Sequence, residues 1–109
     1  MRYLISFPSA AMDVSGDELP AVADAAHAVI RDAREAGVYV FGGGLNEDVA
    51  PVLVAGDGTV SAGGYRELDG GWLVLDVPSR EAALHWAARV AAACRCRQEV
   101  REFQEDPLA

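Results

Sequence analysis

Trp72-Leu73-Val74-Leu75-Asp76-Val77, followed at once by Pro78-Ser79-Arg80-Glu81, decides the architecture of this chain. The first run is aromatic, aliphatic and β-branched, with too little polar alternation for a strand that has one wet face. It therefore predicts a strand in the interior of a sheet. Pro78 ends it. Ser79 then offers a hydroxyl to the unpaired amides of a helix's first turn, and Glu81 suits the positive end of that helix. Ala83, Ala87, Val90, Ala91 and Cys94 recur at helical spacing and form one apolar stripe.

The same pairing of strand and helix occurs earlier. Residues 2–7 are a short β-rich run ended by Pro8, and residues 9–16 read as a loop. Asp17 is placed to cap a helix from about Glu18, with Pro20 in its first turn. Val22, Ala26, Val29, Ile30 and Ala33 give that helix its buried stripe, and Gly37 stops it. Residues 38–41 are strand-like and run into Gly42-Gly43-Gly44. Two β-rich runs flank Gly56-Asp57-Gly58, a hairpin signal. Asp69-Gly70-Gly71 turns the chain into residues 72–77, and residues 98–103 form a last strand before an acidic tail. The order β-α-β, hairpin, β-α-β predicts a single α+β domain of ferredoxin-like type, an antiparallel sheet with two helices on one face. Its other face needs cover, so a homodimer is expected.

Composition narrows the function. A chain of 109 residues, 51% hydrophobic, can bury a core without disulfides or a structural metal. The formal net charge of −8 repels nucleic-acid phosphates, so nucleic acid is not an expected partner. No run approaches the roughly 18 apolar residues that span a bilayer, and the first residues lack a signal peptide's pattern, so no membrane partner and a cytoplasmic location are expected. All nine basic residues are arginine. Without lysine, Schiff-base, pyridoxal-phosphate and P-loop chemistries are excluded, and no cofactor is expected. The arginine and alanine bias points to a bacterial genome of high GC content. Cys94 and Cys96 supply neither a four-ligand zinc set nor a disulfide framework, and they read as small packing residues, Cys94 at a helix end and Cys96 on a strand.

Taken in order, Arg2-Tyr3-Leu4-Ile5, the helix carrying His27, Ala36-Gly37-Val38, Gly43-Gly44-Leu45, residues 72–77, Ala83-Leu84-His85-Trp86-Ala87-Ala88-Arg89 and Glu99-Val100-Arg101 resemble the YCII-related (DGPF-domain) family. The resemblance covers nearly the whole chain. It implies a dimeric, ferredoxin-like fold of the dimeric α+β barrel group. Relatives there include small lyases, isomerases and cofactor-free monooxygenases that act on small, often aromatic, molecules. It also implies a site built on the first-helix histidine, here His27, and an aspartate. Members occur near or fused to sigma-factor regulators. The family's Asp-Gly-Pro-Phe tetrapeptide falls at residues 62–65, where this chain has Ala62-Gly63-Gly64-Tyr65. The motif aspartate is lost.

Four residues are the site candidates. His27 has an imidazole suited to moving protons near neutral pH, with Asp24 one turn earlier as its local carboxylate. The competing reading is a helix-edge histidine bonded to backbone or water. Gly43 would let a ligand approach the backbone, although no helix opens after residues 42–44, so they are not a dinucleotide fingerprint. Asn46 is a polar contact for the same pocket. Tyr65 offers a phenol, or else packs with its hydroxyl in water. No metal set is expected: residues 46–48 lack calcium-loop spacing, and nothing brings His27 and His85 together. Two readings follow, a small-molecule enzyme of lyase or isomerase type using His27, and a non-catalytic or weakly active ligand-binding or interaction domain. Loss of the aspartate favours the second.

Overall fold

The computed structural model describes residues 1–108. Its elements are β1 (Arg2–Phe7), a 3₁₀ turn (Ser9–Ala11), α1 (Leu19–Glu35), β2 (Tyr39–Gly44), β3 (Val52–Val54), β4 (Val60–Ala62), β5 (Gly71–Asp76), α2 (Arg80–Cys94) and β6 (Glu99–Glu102). Four strands form one antiparallel sheet in the order β2-β5-β1-β6, and β3 pairs with β4 in a separate two-stranded sheet. The fold is α+β, and no described helix is long and apolar enough to cross a membrane.

β5 lies between β2 and β1, the interior position expected of residues 72–77. Side chains alternate across the sheet, so Tyr3 and Ile5 of β1 and Leu73 and Leu75 of β5 turn to the same side. There they meet Ala33 of α1 and Ala83 and Ala87 of α2, together with Val77, in one buried cluster. Both helices thus pack on one face. Alanine at each helix contact lets the helices approach the sheet and each other closely. Arg89 to Asp32 and Arg95 to Glu18 join α2 to α1 at the surface; exposed pairs of this kind contribute at most about 1 kcal/mol each. Tyr3 is buried, and its hydroxyl donates to Glu102 Oε1 at 2.8 Å, tying β1 to the edge strand β6. Burial first, then the bond to the Glu102 carboxylate, raises the Tyr3 phenol above its ordinary range.

Of the local expectations, one holds and others meet a different outcome. Ser79 does cap α2, accepting from the Ala82 amide at 3.1 Å. Asp17 does not cap α1: the helix starts at Leu19, and the residue before it, Glu18, is already in helical geometry with no side-chain cap. Residues 42–44 do not end β2 but continue it, pairing with Leu73, Trp72 and Gly71. Cys96 lies in the turn before β6, not on a strand.

The irregularity in β2 falls before the glycines. Tyr39 opposes Leu75 and Phe41 opposes Val74, so Val40 is an extra residue, a β-bulge. Without it Phe41 would oppose Leu73, on the helix side. With it, Phe41 turns to the open face, where it is 66% exposed, and Gly42 takes the helix side instead.

The turn into β5 requires glycine. Gly70 has φ +82°, and a Cβ there would collide with the Phe7 carbonyl oxygen. At Gly71 a Cβ would meet the Phe7 ring at 2.7 Å. Gly43, by contrast, has no atom within 4 Å of a Cβ position. Gly70→Ala is expected to lower unfolding free energy by at least about 2 kcal/mol through left-handed strain and overlap, and Gly43→Ala to leave it within about 0.5 kcal/mol. Leu75→Ala is expected to lose about 2–5 kcal/mol. Urea unfolding of the three variants measures all of these, and a Gly70→Ala midpoint equal to that of the parent protein would contradict the account of the turn.

Candidate functional site

The feature that gathers site candidates is a cleft of about 230 Å³ between α1 and the glycine end of β2. Its α1 wall is Ala23, Ala26, His27 and Ile30, the i, i+3, i+4, i+7 positions of one helical face. That face lies beside the buried stripe of Val22, Val29 and Ala33. Gly42, Gly43 and Gly44 form the opposite wall. Small residues on both sides hold the space open, and the bulge at Val40 removes the one aromatic ring that would otherwise fill it.

His27 stands at the exposed rim of this cleft, and Gly43 lies in its wall. The structure therefore brings these two candidates together. It does not bring the other two. Asn46 is exposed in the turn after β2, where its Oδ1 accepts from the Asp48 amide at 3.1 Å. Tyr65 follows β4 and is 95% exposed. Neither borders the cleft. Asp24 makes no hydrogen bond to His27 among the described residues, so the imidazole has no orienting carboxylate there. His85 sits on α2, edge-on to Trp86 with ring centroids 6.0 Å apart. No described group of three or more His, Cys, Asp or Glu residues is placed to hold a metal ion.

The sequence did not mark two residues of the cleft, Cys94 and Gln98. Cys94 is the last residue of α2 and closes its buried stripe, a spacing that signals burial and gives no hint of a cavity. Gln98 Nε2 donates to the Cys96 carbonyl at 3.2 Å, which leaves Oε1 as the atom that can turn to a ligand. Burial raises both thiols above the ordinary cysteine range; at Cys94 the neighbouring Cys96 adds to it, and at Cys96 a hydrogen bond from Gln98 opposes it. Both cysteines are free.

The cleft thus offers a mostly apolar surface whose lining includes the His27 imidazole, the Cys94 thiol, the Gln98 carboxamide and the Trp72 indole, whose N–H is already given to the Asp69 carbonyl. Its lining contains no arginine and no carboxylate. This suits recognition of a small molecule without a formal charge to neutralise. Proton transfer is within the reach of His27 alone; a relay is not built around it.

A second, wider concavity of about 630 Å³ lies on the open face of the sheet, bordered by Arg2, Val74 and Asp76 and by residues 103–107. Its border mixes the Met1 ammonium and Arg2, both beside Asp76, with Glu105 and Asp106, and no site candidate reaches it.

No protein-family model matches the chain, and no curated protein matches it either.

The raised thiols have a chemical consequence, because the thiolate is the reactive form. Iodoacetamide at pH 8 is expected to alkylate Cys94 at least about 10-fold more slowly in the folded protein than in urea, with Cys96 modified first. Peptide mapping over time reads both rates, and prompt labelling of Cys94 would contradict its burial. The sign for stability follows. A thiol whose folded pKa is raised favours folding below the unfolded value of about 8.5, and this contribution declines as pH rises beyond it.

Proposed function

We propose that this chain is a homodimeric, ferredoxin-like domain of the YCII-related kind that binds a small, largely apolar organic molecule in the His27 cleft and has little or no catalytic activity. The observation that carries the reading is the cleft itself, a mostly apolar space that His27 and Gly43 both border. The strand order β2-β5-β1-β6, with α1 and α2 as crossovers, supports the ferredoxin-like assignment. The absence of a carboxylate hydrogen-bonded to His27 among the described residues, together with Ala62 at the place of the motif aspartate, supports binding over turnover. The position of His27 on the cleft rim favours one alternative, a lyase or isomerase-type enzyme in which the imidazole alone moves the proton.

Dimerisation is supported by the open face of the sheet. Phe41, Val74 and Leu4 stand in one row across β2, β5 and β1 on the side away from the helices. Arg101 ends that row on β6. An apolar row of this kind on an acidic protein is a surface for which water is a poor cover.

A thermal-shift screen with phenols, lactones and small organic acids, run in parallel on His27→Ala, tests the binding reading. A compound at a hundred times its dissociation constant adds about 2.7 kcal/mol, a midpoint rise of roughly 10 °C for a domain of this size. The expected result is a hit among the neutral phenols or lactones that weakens in His27→Ala and is recovered unchanged after incubation. Conversion of the hit at a rate abolished in His27→Ala would establish the enzyme reading. A library without a hit would count against the cleft as a binding site.

A further inference from the structure

The β3–β4 hairpin packs on very little of its own chain. Val52, Val54 and Val60 are 56%, 65% and 60% exposed, and Val49 and Tyr65 beside them are exposed as well. The molecule measures 43 × 42 × 19 Å with a radius of gyration of 15.7 Å, where a compact chain of this length has about 13 Å. The excess is what a projecting arm produces. Within the arm the pairing is regular, with Val52 opposite Ala62, Leu53 opposite Ser61 and Val54 opposite Val60. The Asp57 carboxylate accepts the Thr59 amide at 2.9 Å and fixes the tip. An ordered, valine-rich hairpin that buries almost nothing is unstable as an isolated element, since two strands alone are marginal in water.

We propose that the arm grips a second copy of this chain, each arm of the dimer lying against the other protomer. The proposal rests on the sheet-face dimer put forward above and adds to it the element that makes it stable. Two observations select this occupant. The first is area. Four strands about 4.8 Å apart and about six residues long present a face of only about 400 Å², half of the roughly 800 Å² per partner that a stable interface buries. Both faces of the hairpin, whose strands are three residues each, add about 200 Å², which moves the total towards that figure. The second is charge. The chain carries a net −8, yet residues 49–65 contain a single charged side chain, Asp57 at the tip. Two copies that repel elsewhere can meet along the arm without like charges facing each other, and Phe41, Val74 and Leu4 add no charge to the sheet face, whose charged side chains lie around them at Arg101, Arg2 and Asp76. Tyr65, the candidate that the cleft leaves out, falls at the base of this arm, and tyrosine is a residue that interfaces favour.

The test is sedimentation velocity over a concentration series on the parent protein, on Val52→Glu/Val60→Glu in the arm and on Phe41→Asp on the sheet face. All three positions are exposed, so the core is untouched, and a circular-dichroism melt checks each fold. The expected result is a parent dimer whose dissociation constant rises at least 100-fold in the arm variant and in the face variant. A parent dimer with an unchanged constant in the arm variant overturns the role of the arm and leaves the sheet-face dimer standing. A parent protein that stays monomeric at 100 µM overturns both. Amide hydrogen exchange on the parent protein gives a check that needs no variant. Protection at residues 52–54 and 60–62 should increase with protein concentration, and protection that is independent of concentration overturns the arm contact.

Discussion

One inserted residue controls what each side of this sheet presents. Strand side chains alternate with a period of two, so an extra residue moves everything after it to the opposite face. Val40 is that residue. Before it, Tyr39 faces the helices and packs against the core, with the Arg34 guanidinium 4.6 Å above its ring. After it, the parity is reversed, and the aromatic ring of Phe41 leaves the helix side while a glycine enters. A cavity beneath α1 and an apolar row on the opposite surface are two results of one local irregularity. The cleft and the apolar row are in this sense geometrically linked.

The irregularity is tolerated because the rest of the sheet is tightly determined. β5 is paired on both edges, and Leu73, Leu75 and Val77 belong to the buried cluster that both helices cover. Shifting β5 by one position against β1 would turn Leu73 and Leu75 out to water and Trp72, Val74 and Asp76 in, a loss of several kilocalories per mole at about 1.5–3 kcal/mol for each aliphatic side chain. β2, an edge strand paired on one side only, can absorb a bulge without this penalty.

The architecture was legible in the sequence where patterns are local. The mostly apolar run at residues 72–77, the Ser79 cap, the Gly37 stop and the helical stripes each rest on contacts within a few residues, and the structure has them in place. The glycines of β2 were harder to read. Composition says that residues 42–44 are permissive, but whether they end a strand or extend it depends on what β5 offers opposite them. The cleft was legible in part. His27 and Gly43 could be named because one is the histidine on the first amphipathic helix and the other follows a strand. Cys94 and Gln98 border the same space through the packing of α2 and β6, a long-range arrangement with no sequence period. Asn46 was placed with the cleft because it follows the glycines, and Tyr65 because the resemblance sets an aromatic residue there; the chain leads both away.

The hydrogen bond from the Leu45 amide to the Gly70 carbonyl, 3.0 Å long, joins the two ends of everything between β2 and β5. Gly44 and Gly71 are already paired just inside it. The sheet is therefore complete without residues 46–69, which enter and leave through one doorway. Such a segment can lengthen, shorten or change its residues over evolutionary time while the strands that bracket it keep their register. Residues 62–65 lie within it, so their identity can change and the domain still fold, and copies of one scaffold can come to differ in surface chemistry through this segment alone.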